Sequence, residues 1–123
     1  MADTHTLLDS TRIYHNPRCS KSRQALALLQ ENGLQPEVVK YLESPPTAGE
    51  LSTLVAAMNC GVRDIIRIKE NEYKELGLDN PALSDEDLLQ ALSRHPKLIE
   101  RPIVTHRGRA ALGRPPENIL TLI

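Results

Sequence analysis

Hydrophobic positions along the chain change from strand-like to helix-like spacing, and these changes predict the order of the elements. Residues 11–15 form a short run of β-forming residues that predicts a first strand. In Ser20–Asn32 the apolar residues form one stripe at helical spacing, and Gly33 is a stop signal. Glu37–Leu42 predicts a second strand, which Ser44-Pro45-Pro46 ends because proline donates no ladder hydrogen bond. Strand, helix and strand together predict a βαβ unit with a parallel pair.

The middle of the chain carries helix signals and no strand signal. Thr47 and Glu50 have the spacing of a capping box, and apolar residues follow at helical intervals. Ser84 caps another helix, which ends near His95-Pro96 because the residue before proline disfavours helix. This block is therefore predicted to be a helical insertion. Two weaker helical segments are predicted between these two helices, over residues 62–70 and 71–77.

The last part of the chain returns to strand spacing. Residues 101–106 and 109–112, separated by Arg107-Gly108, predict a β-hairpin. Pro115-Pro116 then opens a last helix, because a proline at the first helical position has no hydrogen bond to lose. The order βαβ, helices, ββα predicts a thioredoxin-like three-layer sandwich, with a small mixed β-sheet flanked by helices.

Length, charge and cysteine content narrow the class of protein. With 123 residues, the chain is predicted to form one domain over residues 11–123 after a loose leader over residues 1–10. A net charge of −1 and the absence of Phe and Trp argue against a nucleic-acid surface. The two cysteines lack the paired spacing of a disulfide scaffold or a zinc site. We expect no bound metal, no membrane segment and a reducing, cytoplasmic location.

The main candidate for chemistry is Cys19, which lies at the predicted start of a helix after a turn at Asn16-Pro17. The first turn of a helix has unpaired N–H groups and the positive end of the helix dipole, and both favour a thiolate. A buried, inert cysteine is the alternative, but the polar neighbours favour a nucleophile. The motif has no second cysteine, so a resolving thiol must come from elsewhere. Cys60 could serve, although a small packed residue is its simpler interpretation.

Other residues could assist such a thiol. His15 could hold or deprotonate it, or could only bond to the turn, and a local electrostatic role is the preferred interpretation. Ser22 could bond to the thiolate or to an oxyanion, or could be ordinary capping material. The planar guanidinium group of arginine can donate two parallel hydrogen bonds to a tetrahedral oxyanion. Any one arginine alone, however, is as well explained as a solvated surface residue. Three arginines lie at element boundaries: Arg67, Arg101 and Arg114.

Taken together, several motifs are similar to those of the glutaredoxin-linked arsenate reductase family. The motifs are His15-Asn16-Pro17-Arg18-Cys19, Ser22-Arg23, Tyr41-Leu42-Glu43-Ser44-Pro45-Pro46, Ile66-Arg67, Glu100-Arg101-Pro102-Ile103-Val104 and Gly113-Arg114-Pro115. The resemblance extends from about residue 11 to the C-terminus. Many members carry Gly-Thr after the cysteine, whereas Ser20-Lys21 resembles a reductase-like branch with Cys-Ser-Lys-Ser.

The resemblance implies both a fold and a reaction. It implies a thioredoxin-like fold with a cis proline at Pro102, and an attack by Cys19 on arsenate that forms a thiol–arsenate adduct. Glutathione as co-substrate and glutaredoxin as partner would then complete the reduction to arsenite, with no bound cofactor. By the same resemblance, His15 and Ser22 belong to the catalytic centre. The implied oxyanion-binding residues are Arg67, Arg101 and Arg114.

Two other functions remain open from the sequence. Spx-like regulators share this fold and bind RNA polymerase, but they usually carry Cys-x-x-Cys where this chain has Ser22. A monothiol oxidoreductase that handles glutathione adducts, without arsenate activity, is the other alternative.

Overall fold

The computed structural model describes residues 10–123, so the predicted leader over residues 1–10 lies outside the described residues except for Ser10. Within these residues the chain forms a mixed four-stranded sheet in the order β2-β1-β3-β4. Strand β1 runs parallel to β2 and antiparallel to β3, and β3 and β4 form a hairpin. The predicted parallel pair and hairpin are therefore confirmed. The strands are β1 (Arg12–Tyr14), β2 (Glu37–Val39), β3 (Ile103–His106) and β4 (Arg109–Leu112).

Helices cover both faces of the sheet. Ile13 of β1 and Val104 of β3 pack into one core, and their sequence neighbours Tyr14 and Ile103 pack into the other. Because successive strand residues point to opposite faces, the two cores lie on opposite sides of the sheet. The predicted thioredoxin-like three-layer sandwich is confirmed. The described helices are α1 (Ser20–Glu31), α2 (Ala48–Ala57), α3 (Asn71–Glu75), α4 (Asp85–Arg94) and the 3-10 helices Val62–Ile65, Pro96–Leu98 and Pro116–Leu122.

Three predicted elements differ from the structure in their extent or type. Strand β2 ends at Val39 and not at Leu42, because its partner β1 ends just before the turn at Asn16-Pro17. The backbone N–H of His15 donates the last bond of this pair to the Val39 carbonyl at 2.8 Å. The chain then turns between Lys40 and Ser44. At the C-terminus the predicted helix after Pro115-Pro116 is a 3-10 helix.

The weak helix predicted over residues 62–70 is the third difference, and it affects the position of a candidate arginine. Only Val62–Ile65 is helical, and Ile66 is extended and forms a bridge with Ile99. The Arg67 N–H donates to the Leu98 carbonyl, and the Glu100 N–H donates to the Ile65 carbonyl, each at 2.8 Å. Pairing with this distant segment outweighs the local helical preference, and it brings Arg67 beside Glu100.

Of the two predicted helix caps, one forms completely and the other only in part. Ser84 and Asp87 form a complete capping box at the start of α4. At α2 the Thr47 hydroxyl accepts from the Glu50 N–H at 3.1 Å, but the Glu50 carboxylate accepts from the hydroxyl of Tyr14 instead of closing the box. The buried Tyr14 hydroxyl requires a partner in the core, and Glu50 supplies it.

Gly113 permits a close approach between two loops that carry candidate arginines. The Arg101–Pro102 and Arg114–Pro115 peptide bonds are both cis. The Gly113 N–H donates to the Pro102 carbonyl at 2.8 Å, and a Cβ added at Gly113 would lie only 2.8 Å from the Pro102 ring. A side chain at this position therefore requires the backbone around Pro102 to move.

Gly113→Ala is expected to lower the free energy of unfolding by about 1–3 kcal/mol, the usual effect of overpacking a filled site. Urea unfolding measures this change. Gly49→Ala is the matched control, because its nearest neighbour would lie 3.9 Å away and alanine favours the helix. A Gly113→Ala protein as stable as Gly49→Ala would contradict the prediction.

Candidate active site

Cys19 is the N-cap residue of α1, and the turn before it is held by hydrogen bonds. The Cys19 N–H donates to the Asn16 carbonyl at 3.0 Å, and the Arg18 N–H donates to the Asn16 side-chain oxygen at 3.0 Å. The Arg23 guanidinium donates to the Pro17 carbonyl at 2.9 Å. These bonds place the thiol where the first N–H groups of the helix point, as the sequence predicted. Only 9% of the residue is exposed.

The pKa of Cys19 lies below its ordinary value, although two effects oppose each other. Burial alone would raise the pKa, because it penalises the charged thiolate. The nearby backbone N–H of Ser22, the Arg101 guanidinium and the N–H of Lys21 favour the thiolate, and together they outweigh burial. The thiolate is therefore stabilised by the helix terminus and by one distant arginine, which makes Cys19 a candidate nucleophile.

His15 and Ser22 form a buried pair behind the thiol. The His15 Nδ1 lies 2.7 Å from the Ser22 hydroxyl oxygen, which also accepts from the Asn16 N–H at 3.0 Å. Burial, followed by the charges of Lys40 and Arg23, lowers the pKa of His15. The neutral ring is favoured at pH 7, so an electrostatic role of His15 must act through this hydrogen bond and not through a positive charge.

Arg101 is the arginine that faces the thiol. Its side chain is 13% exposed, and its Nε and Nη1 atoms are buried with no hydrogen-bond acceptor among residues 10–123. Buried N–H donors are nearly always paired, so unpaired donors beside a stabilised thiolate indicate a site for an external acceptor. An anion with several oxygens fits these donors best.

The other two candidate arginines meet Arg101 around one carboxylate. Glu100 lies 3.6 Å from Nε of Arg67, 3.9 Å from Nη1 of Arg101 and 3.9 Å from Nε of Arg114. Arg67 also pairs with Glu70 at 2.9 Å. The structure thus brings together three arginines that their positions in the sequence did not distinguish from surface residues and that the family resemblance implied as oxyanion-binding residues. It also places Glu100 among them, a residue whose only signal in the sequence is its place in the motif with Arg101 and Pro102.

Tyr41 is a second residue near the thiol that the sequence did not predict as part of the site. Burial raises the pKa of its hydroxyl, and the charge of Cys19 adds to this, whereas Arg101, Arg67 and a hydrogen bond with Asn16 oppose the shift. The neutral phenol, 2% exposed, therefore lies within the field of the thiol and two arginines. The sequence did not point to Tyr41 because the predicted second strand continues to Leu42. In such a strand, Tyr41 would be an ordinary core residue of the sheet.

Cys60 lies in a different environment from Cys19. Both cysteines are free. Burial and the charge of Asp64 raise the pKa of Cys60, and its thiol lies 3.8 Å from the Val55 carbonyl. A raised pKa makes a thiol a poorer nucleophile at neutral pH, which agrees with its interpretation as a packed residue.

Two negative findings concern residues 10–123. No group of three or more His, Cys, Asp or Glu side chains in this part of the chain could hold a metal ion. Within the same residues, no helix has both the length and the apolar character needed to cross a membrane.

Residues 14–122 match the ArsC family model. A curated arsenate reductase from Neisseria meningitidis serogroup A is 54% identical over 109 residues, covering 88% of this chain and 93% of the relative. The Escherichia coli protein YfgD, described as uncharacterized, is 52% identical and covers 91% of this chain and 95% of its own length. A solved structure of an arsenate reductase from Vibrio cholerae superposes with a TM-score of 0.90 at 51% identity, covering 94% and 98% of the two chains.

Proposed function

Since the chain belongs to the ArsC family, we propose that it is an oxidoreductase that reduces arsenate to arsenite through Cys19. One observation carries the proposal. The stabilised Cys19 thiolate lies beside Arg101, whose buried Nε and Nη1 donors have no acceptor among the described residues. A nucleophile next to unpaired oxyanion donors is the arrangement needed for attack on a tetrahedral oxyanion.

Arg67 and Arg114 extend the proposed oxyanion site, because both converge with Arg101 on Glu100. Guanidinium groups bind the oxygens of arsenate and compensate the negative charge that builds up when a thiolate approaches an anion. Ser22 and His15 are joined by a hydrogen bond next to the thiol, and the Ser22 N–H favours the thiolate. Pro102 connects Arg101 to β3 and thereby holds it at the site.

The proposed first step forms one bond and breaks one. The Cys19 thiolate attacks arsenic, and an arsenate hydroxyl takes a proton from solvent and leaves as water, which gives a covalent thiol–arsenate adduct in which arsenic is still As(V). Reduction to As(III) requires two electrons, which two thiols provide when they join in a disulfide. We propose that glutathione and glutaredoxin supply those thiols, and that hydrolysis of the Cys19–As(III) bond releases arsenite.

An external source of thiols is supported by the environment of both cysteines. The position three residues after Cys19 is Ser22, which is fully buried and bonded to His15. Cys60 has a raised pKa and lies beside Val55 and Asp64. The chain therefore offers one activated thiol, and a cytoplasm rich in glutathione is the compartment in which the proposed cycle could run.

Direct measurement of arsenite tests this proposal. The protein is incubated with arsenate, glutathione and glutaredoxin, and each of the three is omitted in turn. Arsenite formation that requires all three supports the complete proposal. Arsenite formed without glutaredoxin would remove that partner, and no arsenite under any condition would reject the reductase. Cleavage of glutathione mixed disulfides alone would favour the monothiol oxidoreductase instead.

A further inference from the structure

The arginine cluster already contains an anion that belongs to the protein. The Glu100 carboxylate lies 3.6 to 3.9 Å from nitrogens of Arg67, Arg101 and Arg114, which come from separate segments of the chain. Its backbone is fixed by the bond from its N–H to the Ile65 carbonyl. The side chain is 25% exposed, so solvent and small anions can reach it.

We propose that Glu100 is an internal counter-ion, which lowers the affinity of the arginine cluster for tetrahedral oxyanions and thereby limits the occupancy of the site by phosphate. This inference rests on the oxyanion-binding part of the proposed function. Glu100 contacts the three arginines and is assigned no role in the reaction itself. It acts on a bound oxyanion by neutralising part of their charge and by the repulsion of its own charge.

Charge supports this role. Three guanidinium groups would form a strongly positive pocket, and any small anion would bind there. Glu100 shares contacts with all of them, and Glu70 pairs with Nη1 of Arg67 at 2.9 Å. The two carboxylates leave a surplus of one positive charge. Lys97 lies 3.5 Å from Glu70 and is well exposed, so it sits at the outer edge of this network.

Geometry adds a second argument. The distances from Glu100 to Arg101 and Arg114 are long for salt bridges, and Nη1 of Arg101 has no hydrogen-bond acceptor among the described residues. Glu100 therefore neutralises charge without using up the buried donors of Arg101. An oxyanion can bind those donors while Glu100 stays in place. Repulsion from the neighbouring carboxylate lowers the affinity of the oxyanion.

Phosphate is the relevant competitor because it has nearly the same shape and charge as arsenate. A pocket of three arginines without a counter-ion would bind both ions and would be blocked by the more abundant one. A resident carboxylate weakens the non-covalent binding of both ions and so limits the occupancy of the site by phosphate. The covalent bond to Cys19, which phosphate is not proposed to form, is then what distinguishes arsenate.

Glu100→Gln is expected to bind inorganic phosphate about three- to tenfold more tightly, where tenfold corresponds to about 1.4 kcal/mol. The amide keeps the size of the side chain and removes its charge. Calorimetric titration with phosphate at fixed ionic strength measures the affinity. The same substitution is expected to lower the pKa of Cys19, which titration of the thiolate in a Cys60→Ser background reports. Phosphate should also inhibit this variant more strongly than the wild type.

Two variants provide the controls. Glu31→Gln makes the same charge change at the other end of the 12-residue helix α1, about 18 Å from its start, and should leave phosphate affinity unchanged. Glu100→Asp keeps the charge and should bind phosphate as weakly as the wild type. Thermal unfolding checks that each variant is folded.

Other outcomes would overturn the inference. Weaker phosphate binding in Glu100→Gln would mean that Glu100 only holds the arginines in position, and unchanged binding would place it outside the site. The measurement uses phosphate, so it does not depend on arsenate turnover. A wild type that makes no arsenite, together with tighter phosphate binding in Glu100→Gln, would reject the proposed reductase and keep the counter-ion.

Discussion

Replacing Cys19 with serine is expected to reduce arsenite production by roughly a thousandfold or more, the scale on which loss of a covalent nucleophile acts. A serine hydroxyl at this position cannot form a thiol–arsenate adduct, and the helix terminus does not ionise it at neutral pH. Arsenite formed from arsenate with glutathione and glutaredoxin is the quantity to measure.

Phosphate affinity separates this chemical loss from a loss of binding. The Cys19→Ser protein should bind phosphate at least as tightly as the wild type, because a partly ionised thiol is replaced by a neutral hydroxyl. Arg101 and its unpaired donors remain in place.

Cys60→Ser is the matched control. It removes the other thiol, whose pKa is raised, and should retain wild-type turnover. Activity that survives Cys19→Ser, or that disappears with Cys60→Ser, would contradict the assignment of the nucleophile.

The position of the nucleophile could be predicted from the sequence because it depends on local interactions. Asn16-Pro17 ends strand β1, and the apolar stripe of α1 begins just after Cys19. A cysteine at such a boundary must lie near the first N–H groups of the helix. The hairpin around Arg107-Gly108 was predictable for the same reason, since both residues adopt positive φ angles in a tight turn.

The rest of the candidate site depends on pairing between distant segments, which one sequence does not encode in its local pattern. Residues around Arg67 have helical spacing, yet Ile66 pairs with Ile99, 33 positions away in the sequence. This bridge brings Arg67 to Glu100. The meeting of three arginines at one carboxylate follows from the bridge and from the Gly113–Pro102 contact, and neither has a signal in the spacing of residues.

Tyr41 and Glu50 show how burial changes the role of a residue. Glu50 has the correct spacing for a capping box, but its carboxylate bonds to the hydroxyl of Tyr14 in the core. Tyr41 continues the β-forming pattern of β2, but the ladder has already ended and its ring is buried near Cys19. In both places the local sequence predicted a helix start or a strand. The partners of the Glu50 carboxylate and of the Tyr41 hydroxyl are set by tertiary packing.

Arg101→Ala is expected to have the second largest effect, a fall in turnover of about a hundred- to a thousandfold, as when one oxyanion donor is removed from a preorganised site. Arg101 is the arginine for which the structure shows both an effect on Cys19 and unpaired donors. Its loss should weaken phosphate binding and raise the pKa of Cys19, because a guanidinium group that favours the thiolate disappears. The rate of Cys19 alkylation against pH, measured in a Cys60→Ser background, should therefore shift to higher pH.

Arg101→Lys distinguishes charge from geometry. Lysine keeps the positive charge but lacks the planar fork, so it should restore part of the Cys19 pKa and little of the turnover. Arg109→Ala is the control for the loss of an exposed arginine, since Arg109 lies at the start of β4, where it pairs in register with His106. If Arg101→Ala left both the alkylation profile and phosphate affinity unchanged, Arg101 would not belong to the oxyanion site. If Arg101→Lys restored full turnover, a positive charge alone would account for its role, and the unpaired Nε and Nη1 donors would have no part in binding the substrate.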